Sequence, residues 1–114
     1  MLTLDALREY GADVEEGLGR CINNEGFYFR MVKMALEDQS FRKLKDAVAA
    51  GDLDTAFEAA HALKGVMGNL ALTPIFTPAS EATELLRART RTDYTPYVQQ
   101  MEEQLEKLRR ICAD

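Results

Sequence analysis

"AAHALKGVMGNLAL", residues 59–72, decides how the rest of the chain is read. It holds the single histidine, His61, with Lys64 and Gly65 one turn later and a second glycine, Gly68, beyond them. Alanine, leucine, methionine and lysine favour helix, so the run reads as helical although each glycine costs roughly 1 kcal/mol against alanine in a helix interior. At about 100° per residue, with His61 at zero, Ala59, Leu63, Val66 and Leu70 fall on the opposite side and Ala56 and Met67 flank them, forming a core-facing stripe. Phe57, Glu58, Lys64, Gly65 and Gly68 fall within about 60° of the histidine. His61 is therefore expected to face solvent, beside glycines that bare the backbone and let another macromolecule approach the ring. Phe57, Glu58 and Gly68 are the expected docking residues around it. Two plainer readings stay open at this point: a lone helical histidine is often an ordinary surface residue, and Phe57 is equally suited to pack on the N-terminal helix.

The pattern stays helical on both sides of this stretch. The histidine helix is predicted from about Leu53 to about Leu72, with Gly51 closing the helix before it and Asp52 capping its start, a tight junction between antiparallel neighbours. Ser40 is predicted to cap "FRKLKDAVAA", in which Phe41, Leu44 and Val48 are spaced by helical turns. Asn24 is predicted to cap "EGFYFRMVKMALED", with Phe27, Met31 and Ala35 on one stripe and Tyr28, Val32 and Leu36 beside it. "LTLDALREYG" reads as a short first helix stopped at Gly11, and Asp13 with Glu16 forms a capping-box-like start to a short segment reaching Ile22.

Downstream, Pro74 and Pro78 are expected to break the chain. Pro78 suits the first position of a new helix, capped by Thr77 and running toward Arg89. A last helix follows Thr95-Pro96, and its stripe of Val98, Met101, Leu105, Leu108 and Cys112 has the three-four spacing of a bundle seam. No segment alternates like a strand. The predicted fold is all-α: an antiparallel four-helix bundle with an additional short N-terminal helix or helices, in a single domain over residues 1–114.

The bulk numbers narrow the function classes. Hydrophobic residues make up 46% and charged residues 29%, a globular composition. A formal net charge of −5 and a pI near 4.9 argue against nucleic acid or an anionic membrane as partner. The longest unbroken apolar run is Ala47 to Ala50, too short to span a bilayer. The N-terminus has no basic region followed by an apolar run, so no signal peptide is read there. Cys21 and Cys112 are too few and too far apart for a disulfide framework; both are expected to be reduced, small core hydrophobes in a cytoplasmic protein. One histidine and two remote cysteines make no zinc site, and the glycines match neither common phosphate-cradling loop. Arg87, Arg89 and Arg91 read as favourable charge near a helix C-terminus.

The residues "AAHALKGVMGNLA" resemble the signature of histidine-containing phosphotransfer (HPt) domains, in which lysine and glycine follow a histidine at three and four positions. The resemblance extends through "DVEEGLGRCINNEGFYFRMVKMALED" and "LKDAVAAGDLDTAFEAAHALKG", the latter containing the Gly-Asp turn before the histidine helix. Departures are Ala71 where a glycine is frequent, Glu84 one position after the usual place of an acidic residue near Thr83, and the Pro74/Pro78 pair.

The resemblance implies a four-helix bundle carrying a phosphoryl group on His61, assisted by Lys64, with Gly65 leaving room for a partner. It implies no kinase or ATP site and no cofactor of its own, with Mg²⁺ supplied by the partner. The implied partners are receiver domains of response regulators and of a hybrid sensor histidine kinase, and the carrier is expected to be a monomer. The chemistry of the residues agrees. Neutral imidazole is a nucleophile near physiological pH, and lysine one turn away supplies charge and donors to phosphate oxygens. Phosphoryl transfer depends on in-line positioning and charge neutralisation, more than one histidine and one lysine provide, so the partner must supply the rest.

Two rival readings use the same residues. One is a bundle that binds or inhibits a histidine kinase or response regulator without being phosphorylated; the intact His61, Lys64, Gly65 set argues against it. The other is the phosphoryl-accepting domain of a larger kinase. The initial methionine and the absence of a terminal linker favour a free-standing protein.

Overall fold

The computed structural model describes residues 1–113 and, among them, seven helices: α1 Leu4–Tyr10, α2 Val14–Arg20, α3 Glu25–Ala35, α4 Ser40–Ala50, α5 Leu53–Asn69, α6 Thr73–Arg87 and α7 Thr95–Cys112. The domain range expected from the sequence includes Asp114, which lies outside the described residues.

Local capping chemistry sets most of the boundaries. Thr3, Asp13, Asn24 and Asp52 each accept a hydrogen bond from an amide in the first turn of the helix they precede, at 3.0, 3.3, 2.9 and 3.1 Å. Gly11 and Gly51 end α1 and α4 in the left-handed region, at φ 113° and 69°, where a side chain is strained.

Several boundaries differ from the sequence reading. α2 stops at Arg20 rather than Ile22, and α3 at Ala35 rather than Asp38. α4 includes Ser40 in its first turn, and the Asp38 carboxylate, not the Ser40 hydroxyl, takes the free amide there, accepting from the Ser40 N–H at 2.8 Å. α5 stops at Asn69 rather than Leu72. Its apolar periodicity runs on because the turn residues Leu70, Ala71 and Leu72 are themselves buried. α6 starts at Thr73, so Pro74 occupies its first turn and Pro78 lies inside it; Thr77 is a helical residue and not a cap. Pro78 deprives the helix of one bond, to the carbonyl of Pro74, and its ring is buried in the core.

The turn between α5 and α6 is a Schellman closure. The Leu72 amide donates to the Met67 carbonyl at 2.9 Å and the Ala71 amide to Gly68 at 3.1 Å, with Ala71 at φ 56°. Ala71 thus takes the conformation that glycine ordinarily supplies.

α4 to α7 form the bundle: α5 packs against α4 and α6, α6 against α7, and α7 closes on α4. Leu44, Leu63, Met67, Ile75, Met101 and Leu108 are among its buried side chains, and Ala56, Ala59, Ala60, Ala79 and Ala82 keep the helices close. On α7 the expected stripe is buried from Val98 to Leu108, with Cys112 half-buried; Cys21 is buried, and both thiols are free. On α3 the buried stripe is Tyr28, Val32 and Ala35, while Phe27 is exposed.

The N-terminal helices are tied to the far end of the histidine helix. The Asp13 amide donates to the Ala71 carbonyl at 3.0 Å, and the buried Tyr28 hydroxyl donates to the Leu70 carbonyl at 2.9 Å. A methyl group on Gly17 would stand 2.7 Å from the Tyr28 ring, so α2 reaches this position only with glycine there. No helix among the described residues is long and apolar enough to cross a membrane.

Candidate functional site

His61 sits in the middle of α5 and is exposed, as helix geometry requires for a residue opposite Leu63 and Leu70. The buried arc is not centred directly opposite it. Ala60 is buried, whereas Ala62, equally far round on the other side, is exposed, and Val66 is only half-buried. The helix is therefore rolled so that α6 covers the flank bearing Phe57, Lys64 and Gly68.

That roll determines the partners of the side chains around His61. Phe57 is half-buried and stacks on the imidazole, with ring centroids 5.6 Å apart and planes 18° apart. The Arg87 guanidinium of α6 lies 5.1 Å from the centre of the Phe57 ring, a cation–π distance. Lys64 Nζ pairs with Glu84 Oε2 at 3.3 Å, and the other oxygen, Oε1, receives Arg87 Nε at 3.4 Å. The hydrogen bond from the Lys64 ammonium, with Arg87 beside it, holds the Glu84 carboxyl below the usual carboxylate range. Glu58 turns the other way and pairs with Lys43 of α4 at 3.5 Å.

The two glycines differ. A methyl group on Gly65 would meet nothing within 4 Å, so the surface beside His61 is open there. One on Gly68 would stand 2.9 Å from the Phe76 ring, so Gly68 seats an aromatic of α6 and has a packing reason of its own.

A groove of about 540 Å³ runs from His61 past Lys64, Gly65 and Gly68, between Phe76 and Thr77 of α6 on one side and, on the other, Glu16 and Arg20 of α2 with its cap Asp13. Sequence reasoning missed this α2 wall, and it also missed Glu84 and Arg87 as neighbours of the site. Arg87 does lie in the last turn of α6 as charge placement suggests, and Arg89 pairs with Asp54. The i, i+3 spacing of Glu84 and Arg87 was available as a signal, but their approach to Lys64 and Phe57 depends on the packing of α6. Among the described residues, no three His, Cys, Asp or Glu side chains come together as a metal site.

The assembly is a nucleophilic imidazole on an aromatic platform, with two cations within reach of its surroundings and bare backbone on one side. It is suited to accepting and releasing an anionic group presented by another surface. Against known families, the Hpt domain model matches residues 30–111. No curated protein and no solved structure gives a match. Hpt domains serve in phosphorelays as histidine phosphotransfer domains; they carry the phosphoryl group and are not kinases. With most of its length matched and an all-helical bundle to correspond, the chain belongs to the Hpt domain family.

Proposed function

We propose that this protein is a histidine phosphocarrier in which His61 accepts a phosphoryl group from a receiver-domain aspartate and passes it to another. The observation that carries this reading is the exposed His61 at mid-helix, with Lys64 one turn on and open space over Gly65. In the accepting step a ring nitrogen of His61 attacks phosphorus in line. The P–O bond of the aspartyl phosphate breaks as the P–N bond forms, and the carboxylate leaves on the partner.

Lys64 assists at the phosphoryl oxygens, and Gly65 keeps the surface low enough for the partner to bring its aspartate to the ring. Phe57, Glu58 and Gly68 border the docking face. Mg²⁺ comes with the receiver domain, since charge neutralisation beyond one or two cations is needed. The partners are receiver domains of response regulators and of a hybrid sensor kinase. The carrier works as a cytoplasmic monomer, one domain spanning the chain.

Incubation with phosphorylated receiver domains tests the reading. The protein is expected to acquire acid-labile, base-stable phosphate that is absent from His61→Gln. Binding of receivers with no such phosphate would instead identify an interaction module.

A further inference from the structure

One carboxylate holds two of the cations beside the site. Glu84 takes Lys64 on one oxygen at 3.3 Å and Arg87 on the other at 3.4 Å, and among the described residues neither cation has another acidic partner within 4.0 Å. Lys64 borders the groove that contains His61, and Arg87 covers the aromatic ring on which His61 stacks. A phosphoryl group on His61 would bring close to two negative charges and strong acceptor oxygens, and would draw on the same donors. Glu84 stands in its way twice, as a competitor for the cations and as a negative charge near an arriving anion.

We propose that Glu84 is a positioning residue: it keeps Lys64 and Arg87 drawn onto α6 while His61 is unphosphorylated and yields them when a phosphoryl group arrives, so that it sets how readily His61 is loaded. The proposal rests on His61 being the phosphorylated residue. The hydrogen bond from Lys64, with Arg87 beside it, favours the ionised form of the Glu84 carboxyl, the form that competes for the cations. The pairs are at the surface, with Lys64 31% and Glu84 55% exposed. Such contacts are weak and screened, which makes the hold easy to reverse and the expected effect modest, about two- to fivefold.

The test uses the full chain and phosphoramidate, a small donor that needs no receiver domain. A ring nitrogen of His61 attacks its phosphorus, the donor's P–N bond breaks as the new one forms, and the ammonia that leaves takes up the ring proton. Glu84→Gln is expected to take up phosphate about two- to fivefold faster than the parent, with an unchanged thermal melt and a gain that shrinks as salt is raised. In a Lys64→Ala/Arg87→Ala background the same change should give a clearly smaller gain, because only the repulsion between the Glu84 charge and the arriving anion is then relieved. Unchanged or slower uptake by Glu84→Gln overturns the proposal, as does an undiminished gain when both cations are absent. If the parent takes up no phosphate, or His61→Gln takes up as much, the phosphocarrier reading itself fails.

Discussion

The rings of Phe57 and His61 lie one over the other, 5.6 Å between centroids and 18° between planes, so that the imidazole rests on a half-buried aromatic from the preceding turn of the same helix. Stacked aromatic pairs are worth about 0.5–1.5 kcal/mol beyond their buried area. Phe57→Leu keeps an apolar side chain but removes the platform. It is expected to slow phosphoryl uptake by up to about tenfold, the equivalent of that interaction, with only a small change in melting temperature. Uptake at the parental rate would mean the stacking is incidental.

His61→Gln should abolish phosphoryl acceptance and leave helicity and the thermal melt nearly unchanged, because exposed side chains contribute little to stability. Circular dichroism and a phosphorylation assay on one preparation decide it. Residual acceptance would locate the phosphate elsewhere.

Gly51 and Gly65 make a matched pair. A methyl group meets nothing within 4 Å at either, but Gly51 sits at φ 69° and Gly65 inside α5. Gly51→Ala is therefore expected to cost about 1–2 kcal/mol through left-handed backbone strain. Gly65→Ala should add up to about 1 kcal/mol through helix propensity. Gly65→Gln should keep most of that gain while slowing transfer from a receiver domain, since a bulky side chain occupies the approach to His61. Denaturant melts read the two signs, and a Gly65→Gln protein that is destabilised would point to unrecognised packing at that position.

Tyr28 links α3 to the end of the histidine helix. Its hydroxyl, donated to the Leu70 carbonyl at 2.9 Å, is fully buried, and burial pushes the phenol up to about 12. Tyr28→Phe should cost about 1–3 kcal/mol, because the Leu70 carbonyl is left unpaired. The folded value exceeds the unfolded one, near 10, so this contribution is complete below about pH 10 and is lost as pH rises toward about 12. Tyr10, also raised by burial, adds to the same alkaline limb. The measurement is accordingly the difference between parent and Tyr28→Phe in stability against pH, which should narrow above pH 10. A constant difference through pH 12 would contradict a buried, protonated phenol.

The sequence by itself determined the features that depend on neighbours along the chain. Asp13, Asn24 and Asp52 were legible as caps because a side chain reaches an amide three residues on, and Gly11 and Gly51 as stops because glycine enters the left-handed turn without strain. The exposure of His61 followed from 3.6 residues per turn and the positions of Leu63 and Leu70. Tertiary structure decided what depends on residues distant in sequence. Pro78 lies inside α6 because the buried turn Leu70–Leu72 lets that helix begin at Thr73, five residues before the expected start at Pro78. Gly68 is small because Phe76 packs on it, Glu58 faces α4, and Lys64 meets Glu84 because α5 is rolled toward α6. Helix periodicity fixes which way a side chain points; only the packing of one helix against another fixes what it meets there.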